Sequence, residues 1–186
     1  ALMRPVTMNV ILPVDKVFFG EETEEENKPF KTLYLLHGVM GNYTDWVTGT
    51  CIKRWAEEKN LAVVMPSGAN MFYMDHPNAN ENYSEFIGKE LVKITRRMFP
   101  LSHKKEDTFI AGLSMGGYGA IRNGLKYHDT FGYIAGLSSA MILEKWGQQM
   151  TVLLCSLRKK VFWRVYLEIY PGSKTVRSIR NGLPKI

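Results

Sequence analysis

The first 140 residues alternate short apolar segments with longer amphipathic ones. Residues 6–12, 31–36, 61–65, 108–111 and 131–137 are short, apolar and rich in β-branched or aromatic side chains, which predicts five strands. The segments 31–36 and 61–65 are apolar almost throughout. This is expected for strands that a parallel sheet buries on both faces.

The segments between these predicted strands have the periodicity of helices. Residues 45–60 and 84–99 predict two amphipathic helices, and a third helix, rich in small residues, is expected from 115 to about 127. The apolar face of the second helix includes Ile94 and Met98, so we expect both side chains to face the core.

This order of strands and helices predicts right-handed crossovers between parallel strands. The fold class is therefore α/β, with a mostly parallel sheet and helices on both of its faces. Sites in such sheets lie at the carboxyl ends of the strands. We expect three loops to meet there, namely 37–46, 66–82 and 113–117.

The pattern Gly112-x-Ser114-x-Gly116 lies between a predicted strand and a predicted helix. G-x-S-x-G is the pattern of a nucleophile elbow, a sharp turn that exposes the serine oxygen above the sheet. Such a turn needs small neighbours, because its strained backbone leaves no room for Cβ atoms. The alternative is an ordinary glycine-rich loop. The flanking strand and helix favour the elbow, with Ser114 as nucleophile and the first N–H groups of the helix directed at its target.

Length and composition indicate one domain over residues 1–186, with ordinary apolar (45%) and charged (23%) fractions. No apolar run is long enough to cross a bilayer and no signal segment starts the chain, so we expect a cytoplasmic protein without a membrane partner. Cys51 and Cys155 have neither disulfide nor metal-ligand spacing and are expected to be free thiols. The sequence predicts no metal and no cofactor.

Basic residues concentrate near the C-terminal end of the chain. Residues 145–186 contain 9 of the 24 Lys and Arg residues of the chain. Of its 18 Asp and Glu residues, this segment contains only Glu168. This atypical segment fits an anion-binding surface, a diverged cap or a reading-frame error, and the last two are favoured. No aromatic and basic module surrounds it, so no nucleic-acid partner is expected.

Several ordered motifs together resemble a known family. They are Leu35-Leu36-His37-Gly38 followed by Trp46, then Tyr73-x-Asp75, and then the glycine-rich run 111–120. Over about residues 6–140 the chain is similar to the esterase D group of α/β-hydrolases, which includes tributyrin esterases and S-formylglutathione hydrolases. The resemblance implies a three-layer α/β-hydrolase fold. It also implies a serine carboxylesterase that hydrolyses short-chain carboxylic esters or thioesters through an acyl-serine intermediate.

The resemblance further implies an oxyanion hole made by the backbone N–H groups of Met115 and Val39. The reaction requires the same arrangement, because acyl transfer needs a nucleophile and hydrogen-bond donors directed at the developing oxyanion. The elbow supplies Ser114 and one donor. The glycine-containing loop after the strand 31–36 is expected beside it, where it can supply the other.

Five further residues are expected around the substrate pocket: His37, Gly38, Trp46, Tyr73 and Asp75. A histidine next to a glycine either orients its loop or acts as a base, and the orienting role is favoured here. The tyrosine and the aspartate, both in the loop 66–82, either hold that loop and line the pocket or take part in the chemistry. The first role is again favoured.

The second half of a catalytic triad is missing from the expected positions. In α/β-hydrolases an acid and then a histidine follow the nucleophile along the chain. The only histidine after Ser114 is His128, about 20 Å away along the predicted helix, and Asp129 lies beside it. Neither can take a proton from Ser114, so we expect the acid and base to be absent and the C-terminal part of the fold to be incomplete.

The sequence therefore predicts an esterase with a small-molecule ester or thioester as its ligand. An alternative is a truncated or degenerate hydrolase-fold protein with little activity, which serves as a binding or assembly partner. A weaker alternative is a binding module with a basic tail. Self-association into a homo-oligomer is left open.

Overall fold

A five-stranded sheet organises the described part of the chain. The computed structural model describes residues 1–14 and 28–140, so the predicted acidic loop at 21–27 and the basic segment at 145–186 lie outside it. The strands are β1 (Met8–Ile11), β2 (Lys31–Leu36), β3 (Leu61–Pro66), β4 (Asp75–His76), β5 (Glu81–Asn82), β6 (Thr108–Leu113) and β7 (Tyr133–Leu137). The large sheet has the order β1-β3-β2-β6-β7, and β4 pairs with β5 in a separate hairpin.

Helical segments connect these strands as the sequence pattern predicts. They are α1 (Asp45–Gly49), α2 (Ile52–Glu58), α3 (Tyr83–Glu85), a π-helical segment (Phe86–Glu90), α4 (Leu91–Met98) and α5 (Met115–Lys126), with 3-10 turns at Pro77–Ala79 and Lys105–Asp107. None of the helices in the described ranges combines the length and the apolar character that a membrane crossing requires.

The sheet is mostly parallel, as predicted. Strand β2 pairs in parallel with β3 and with β6, and β6 pairs in parallel with β7, whereas β1 runs antiparallel to β3 at the edge. In register, Leu36 lies opposite Gly112, which in turn lies opposite Gly136. Strands β2, β6 and β7 therefore end at the same edge of the sheet, where the loops after them are brought together.

The main core lies between one face of the sheet and the helices that cover it. Its members include Tyr34, Leu36, Val64 and Ile110 from the strands, with Tyr83, Ile87, Leu91 and Met115 from the helices. The intervening residues Leu33 and Leu35 are buried outside this cluster, because alternate side chains of a strand point to opposite faces. On that second face, α2 packs near β3 and buries Ile52 and Ala56.

The single helix predicted over 45–60 is wrong, because the chain forms two short helices there. Thr50 between them has an extended backbone, with φ −144° and ψ 173°. Its Oγ1 accepts a hydrogen bond from the N–H of Ile52, the first residue of α2, at 3.1 Å. The Thr50 hydroxyl thus accepts a hydrogen bond from an N–H that has no acceptor inside the helix. This bond stabilises the start of α2 after the break.

The predicted burial of Ile94 and Met98 is also wrong, since their side chains are 42% and 60% exposed. Hydrogen bonds in the π-helical segment skip one more residue than those of an α-helix, so the buried face beyond it is rotated. Thr95 occupies the buried position instead, where its hydroxyl and that of Tyr34 are 2.8 Å apart.

Candidate active site

Ser114 lies at the sharp turn between β6 and α5, as the motif predicts. Strand β6 ends at Leu113 and α5 begins at Met115, so a single residue makes the turn. Its backbone has φ 54° and ψ −112°, a strained conformation for a residue with a side chain. The Ser114 N–H donates to Leu137 O at 2.8 Å, and the Ser114 carbonyl accepts from Ala140 N–H at 3.0 Å. The end of β7 therefore holds the strained turn in place.

The two glycines of the motif are required by close backbone contacts. A Cβ atom on Gly116 would lie 2.4 Å from Leu36 O and 2.5 Å from His37 O. A Cβ atom on Gly112 would lie 2.4 Å from the Gly116 carbonyl group. These contacts are with backbone atoms, which cannot rotate away as a flexible side chain would. Larger residues would push α5 off the sheet and displace Ser114.

The loop after β2 lies directly against the elbow. A Cβ atom on Gly38 would be 3.7 Å from Ser114 Cβ and 3.6 Å from Leu113 O, an ordinary contact distance. Within the described residues, the N–H of Val39 donates to no backbone or side-chain acceptor. Met115 is the first residue of α5, so its N–H also has no acceptor inside the helix. Two donors for which the described residues provide no recorded acceptor thus belong to the segments that meet at Ser114.

His37 is buried and ties its loop to the loop that follows β3. Its Nε2 accepts a hydrogen bond from Gly68 N–H at 2.8 Å, and its Nδ1 lies 2.7 Å from Gly38 O. A backbone N–H can only donate, so Nε2 carries no proton and Nδ1–H donates to the carbonyl. Both ring nitrogens are therefore engaged in the orienting role, and neither is directed at Ser114.

Tyr73 is fully buried beneath the same loop. Its hydroxyl donates to His37 O at 3.2 Å, and its own carbonyl accepts from Asn123 Nδ2 of α5 at 3.0 Å. Burial raises the pKa of the Tyr73 phenol well above its ordinary value, so the hydroxyl remains a donor. With no exposed surface, Tyr73 supports the site from below instead of contacting a ligand.

Asp75 is not brought together with Ser114. Its Oδ2 lies 2.9 Å from Lys126 Nζ, and its Oδ1 accepts from Glu85 N–H at 3.0 Å. Lys126 is the last residue of α5, so its Cα is about 18 Å along the helix axis from that of Ser114. The expected position of Asp75 at the pocket is corrected accordingly: the carboxylate anchors its loop at the other end of α5.

Trp46 covers the carboxyl end of β2. Its indole Nε1–H donates to Leu36 O at 3.2 Å, and the ring is half-buried. Leu36 O is also one of the atoms that approach Gly116. Trp46 is therefore near the elbow and fixes the strand end from which the Gly38 loop departs.

None of the four histidines of the chain hydrogen-bonds Ser114 Oγ. His37 is engaged as described, and His128 forms an exposed pair with Asp129 at 3.4 Å. Within the part of the chain that the structure describes, no hydrogen bond joins Ser114 Oγ to His76 or His103 either. Over residues 1–14 and 28–140, the structure thus brings a serine near two N–H donors and places no histidine within hydrogen-bond distance of its Oγ.

Sequence reasoning missed two residues that shape this site, Gly68 and Asn70. Gly68 N–H donates to His37 as described above, and Asn70 Oδ1 accepts from Met40 N–H at 2.7 Å. Both lie in a polar loop whose only sequence signal is a glycine after a strand. Their partners are about thirty positions away, beyond the reach of any periodic pattern.

Comparison with known proteins identifies similar chains. Residues 1–174 match the sequence profile of the Esterase family, described as "Putative esterase". An acetyl esterase of Caldicellulosiruptor saccharolyticus is 49% identical over 144 residues, which are 77% of this chain and 54% of that protein. This chain thus spans about half the length of that curated relative.

Solved structures are similar over a comparable part. The substrate-bound fluorophosphonate-binding serine hydrolase FphF of Staphylococcus aureus has 41% sequence identity and a TM-score of 0.60, over 70% of this chain and 49% of that one. The S-formylglutathione hydrolase of the same organism, without ligand, has 36% identity and a TM-score of 0.57, over 79% and 59%. These neighbours confirm the α/β-hydrolase fold expected from the sequence.

Proposed function

Because the chain belongs to the Esterase family, we propose that it carries the nucleophile and the oxyanion-binding loops of a serine carboxylesterase. Ser114 is the nucleophile, and it forms an acyl-serine intermediate with a short-chain carboxylic ester or thioester. The observation that carries this proposal is the backbone of Ser114, strained at φ 54° between β6 and α5. Strain of this kind persists only where the surrounding structure holds it, and it clusters at functional sites.

The oxyanion hole consists of the backbone N–H groups of Val39 and Met115. Val39 follows Gly38, whose Cβ position is 3.7 Å from Ser114 Cβ, and Met115 starts α5. Donors held in advance at such a position need no rearrangement when negative charge develops on the carbonyl oxygen. Loss of one donor of this kind costs about 2.7–4 kcal/mol of transition-state stabilisation.

The expected substrates carry short acyl groups. The names of two relatives, acetyl esterase and S-formylglutathione hydrolase, denote small acyl groups on oxygen and on sulfur. The side chains of Val39 and Leu113, which are half-exposed beside the elbow, provide an apolar surface for a neutral acyl group. A charged acyl group would lose hydration there without gaining a partner.

A base must come from outside the described residues for full activity. No histidine hydrogen-bonds Ser114 Oγ, and this observation favours a second candidate function, that of a binding or assembly partner with little activity. The two candidates differ in one respect. If the chain carries the nucleophile of an esterase, it gains turnover when a triad acid and base are supplied. A degenerate binding protein does not.

The test is a chimera in which residues 1–140 are followed by the C-terminal remainder of the Caldicellulosiruptor acetyl esterase. We expect it to hydrolyse p-nitrophenyl acetate faster than the 186-residue chain by several orders of magnitude, because a triad serine without its base keeps only the contribution of binding and the oxyanion hole. Ser114→Ala in the chimera should lower the rate by at least about 10³-fold. Unchanged turnover in that variant would refute Ser114 as the nucleophile.

Two controls complete this experiment. Cys51 is an exposed free thiol that reacts with activated esters, so all chains should also carry Cys51→Ala, and the 186-residue chain should carry Cys155→Ala as well. A series of nitrophenyl esters with acyl chains of increasing length, together with a thioester, then tests the substrate class. Preference for long acyl chains would retain Ser114 as nucleophile and reject the short-chain assignment.

A further inference from the structure

The side chain of Asn70 holds the loop that carries Val39. Its Oδ1 accepts a hydrogen bond from Met40 N–H at 2.7 Å, across thirty positions of sequence. Asn70 is exposed and belongs to the loop after β3, whereas Met40 belongs to the loop after β2. The hydrogen bond therefore joins two of the three loops that meet at the carboxyl edge of the sheet.

The bond is made at a turn with an unfavourable backbone conformation. Gly41 N–H donates to Gly38 O at 3.2 Å, so residues 38–41 form a β-turn. Met40, at its third position, has φ 64°, which is the arrangement of a type II turn. That position favours glycine or asparagine, because a larger side chain in the left-handed region costs about 1–2 kcal/mol. Asn70 supplies an interaction that offsets this cost.

The same bond fixes the orientation of one peptide group. Type I and type II turns differ by rotation of their central peptide, which here contains the Val39 carbonyl and the Met40 N–H. Only the type II orientation presents this N–H to Asn70. Rotation would instead direct the Val39 carbonyl towards Oδ1, with two acceptors facing each other. It would also change the ψ angle of Val39, the residue whose own N–H is the proposed oxyanion donor.

We propose that Asn70 is a positioning residue for the oxyanion hole, acting through the Met40 N–H on the placement of the Val39 N–H. This inference rests on the proposed function of Ser114 and Val39. Among the described residues, two other hydrogen bonds join the same loops, but both involve His37, which is buried. Asn70 is the exposed member of the set, so it can be changed without opening the core.

The test uses the 186-residue chain with imidazole added as an external base. An alkyl fluorophosphonate reacts with an activated serine: the Oγ–P bond forms, the P–F bond breaks with release of fluoride, and imidazole takes the proton. Peptide-resolved mass spectrometry follows phosphonylation of Ser114 alone. The variants are Asn70→Ala, which removes the acceptor, and Asn70→Asp, which keeps one. Asn78→Ala is the matched control, because Asn78 is an exposed asparagine in the 3-10 turn between β4 and β5, and its side chain has no hydrogen bond to any described residue.

Asn70→Ala should slow labelling at saturating reagent by at least about tenfold, up to the 10²–10³-fold that loss of a whole oxyanion donor costs. The reagent concentration for half-saturation should stay unchanged, because the effect lies in the transition state. Asn70→Asp should restore the rate to within about threefold, and the control should match the wild type. Amide hydrogen exchange at Met40 should quicken in Asn70→Ala and not in Asn70→Asp.

Two results would overturn the inference and leave the proposed function in place: labelling of Asn70→Ala within about twofold of wild type, or Asn70→Asp as slow as Asn70→Ala. Failure of the wild-type chain to react at Ser114 would overturn the proposed function, and the role of Asn70 with it. Comparison of the thermal midpoints of Asn70→Ala and wild type checks that the fold is kept.

Discussion

Gly68 donates its backbone N–H to Nε2 of His37 at 2.8 Å, and this bond defines what the histidine can do. The other ring nitrogen is engaged by Gly38 O, so the imidazole is held between two loops. A histidine beside a nucleophile elbow invites assignment as the base. The bond to Gly68 shows that the imidazole instead ties the loop after β2 to the loop after β3.

Substitutions of His37 should therefore change the free energy of unfolding more than the rate of the chemical step. In His37→Leu, the buried Gly68 N–H loses its acceptor, so we expect a loss of about 1–3 kcal/mol in the free energy of unfolding. His37→Gln keeps an acceptor and should lose less. Denaturant unfolding measures both changes.

The chimera separates this role from that of a base. If His37 were the base, both His37→Gln and His37→Leu would remove it. The ester hydrolysis rate would then fall by several orders of magnitude in both variants. We expect the glutamine variant to retain most of its activity. Equal and large losses of activity in the two folded variants would instead show that His37 acts as a base.

Gly116 should be the least replaceable residue of the elbow. Gly116→Ala places a methyl group 2.4–2.5 Å from two backbone carbonyl oxygens, so we expect destabilisation of at least about 3 kcal/mol. The matched control is Gly49→Ala in exposed α1, where a Cβ atom meets nothing within 4 Å. Alanine there should be neutral or stabilising by about 0.5–1 kcal/mol. Thermal unfolding compares the two, and a Gly116→Ala protein as stable as Gly49→Ala would contradict the close packing of α5 on β2.

The pair formed by Asp75 and Lys126 should make stability depend on acidity. Burial raises the pKa of Asp75, but hydrogen bonds from Lys126 and from the Glu85 N–H outweigh it and hold the pKa below its ordinary 3.8. A carboxyl group with a lowered pKa stabilises the fold above its unfolded-state value, and this contribution disappears as the pH falls through the folded-state pKa.

Asp75→Asn should therefore be less stable than wild type at neutral pH, and the difference should shrink as the pH falls below 3.8. Urea unfolding at a series of pH values measures it. Asp129→Asn serves as the control, since Asp129 pairs with His128 on the surface and exposed pairs contribute little. A difference between Asp75→Asn and wild type that stays constant down to acid pH would show that the ion pair does not stabilise this loop.

The elbow could be predicted from sequence because its signal is local. The pattern from Gly112 to Gly116 and its flanking strand and helix lie within about twenty residues, and each requirement is visible in residue type. The adjacency of Gly38 to Ser114 could also be expected, because the carboxyl ends of neighbouring parallel strands meet at one edge.

The contacts that hold the loop after β2 could not be predicted. Asn70 and Gly68 act on residues of another loop through single hydrogen bonds, and neither residue type implies such a partner. The exposure of Ile94 could not be predicted from the sequence for a similar reason. A Cβ atom on Gly88 would lie 2.0 Å from the Tyr127 ring, so the π-helical segment packs against a residue 39 positions away.

In the proposed mechanism, Ser114 attacks the ester and carries the acyl group. The most direct measurement is rapid mixing of the chimera with p-nitrophenyl acetate, an acid quench before the acyl group is lost, and mapping of the acetylated peptide by mass spectrometry. We predict acetylation of Ser114 that forms as p-nitrophenol is released and then decays, with none in Ser114→Ala. Release of p-nitrophenol with no acetyl group on Ser114, or with the acetyl group on another residue, would contradict the claim.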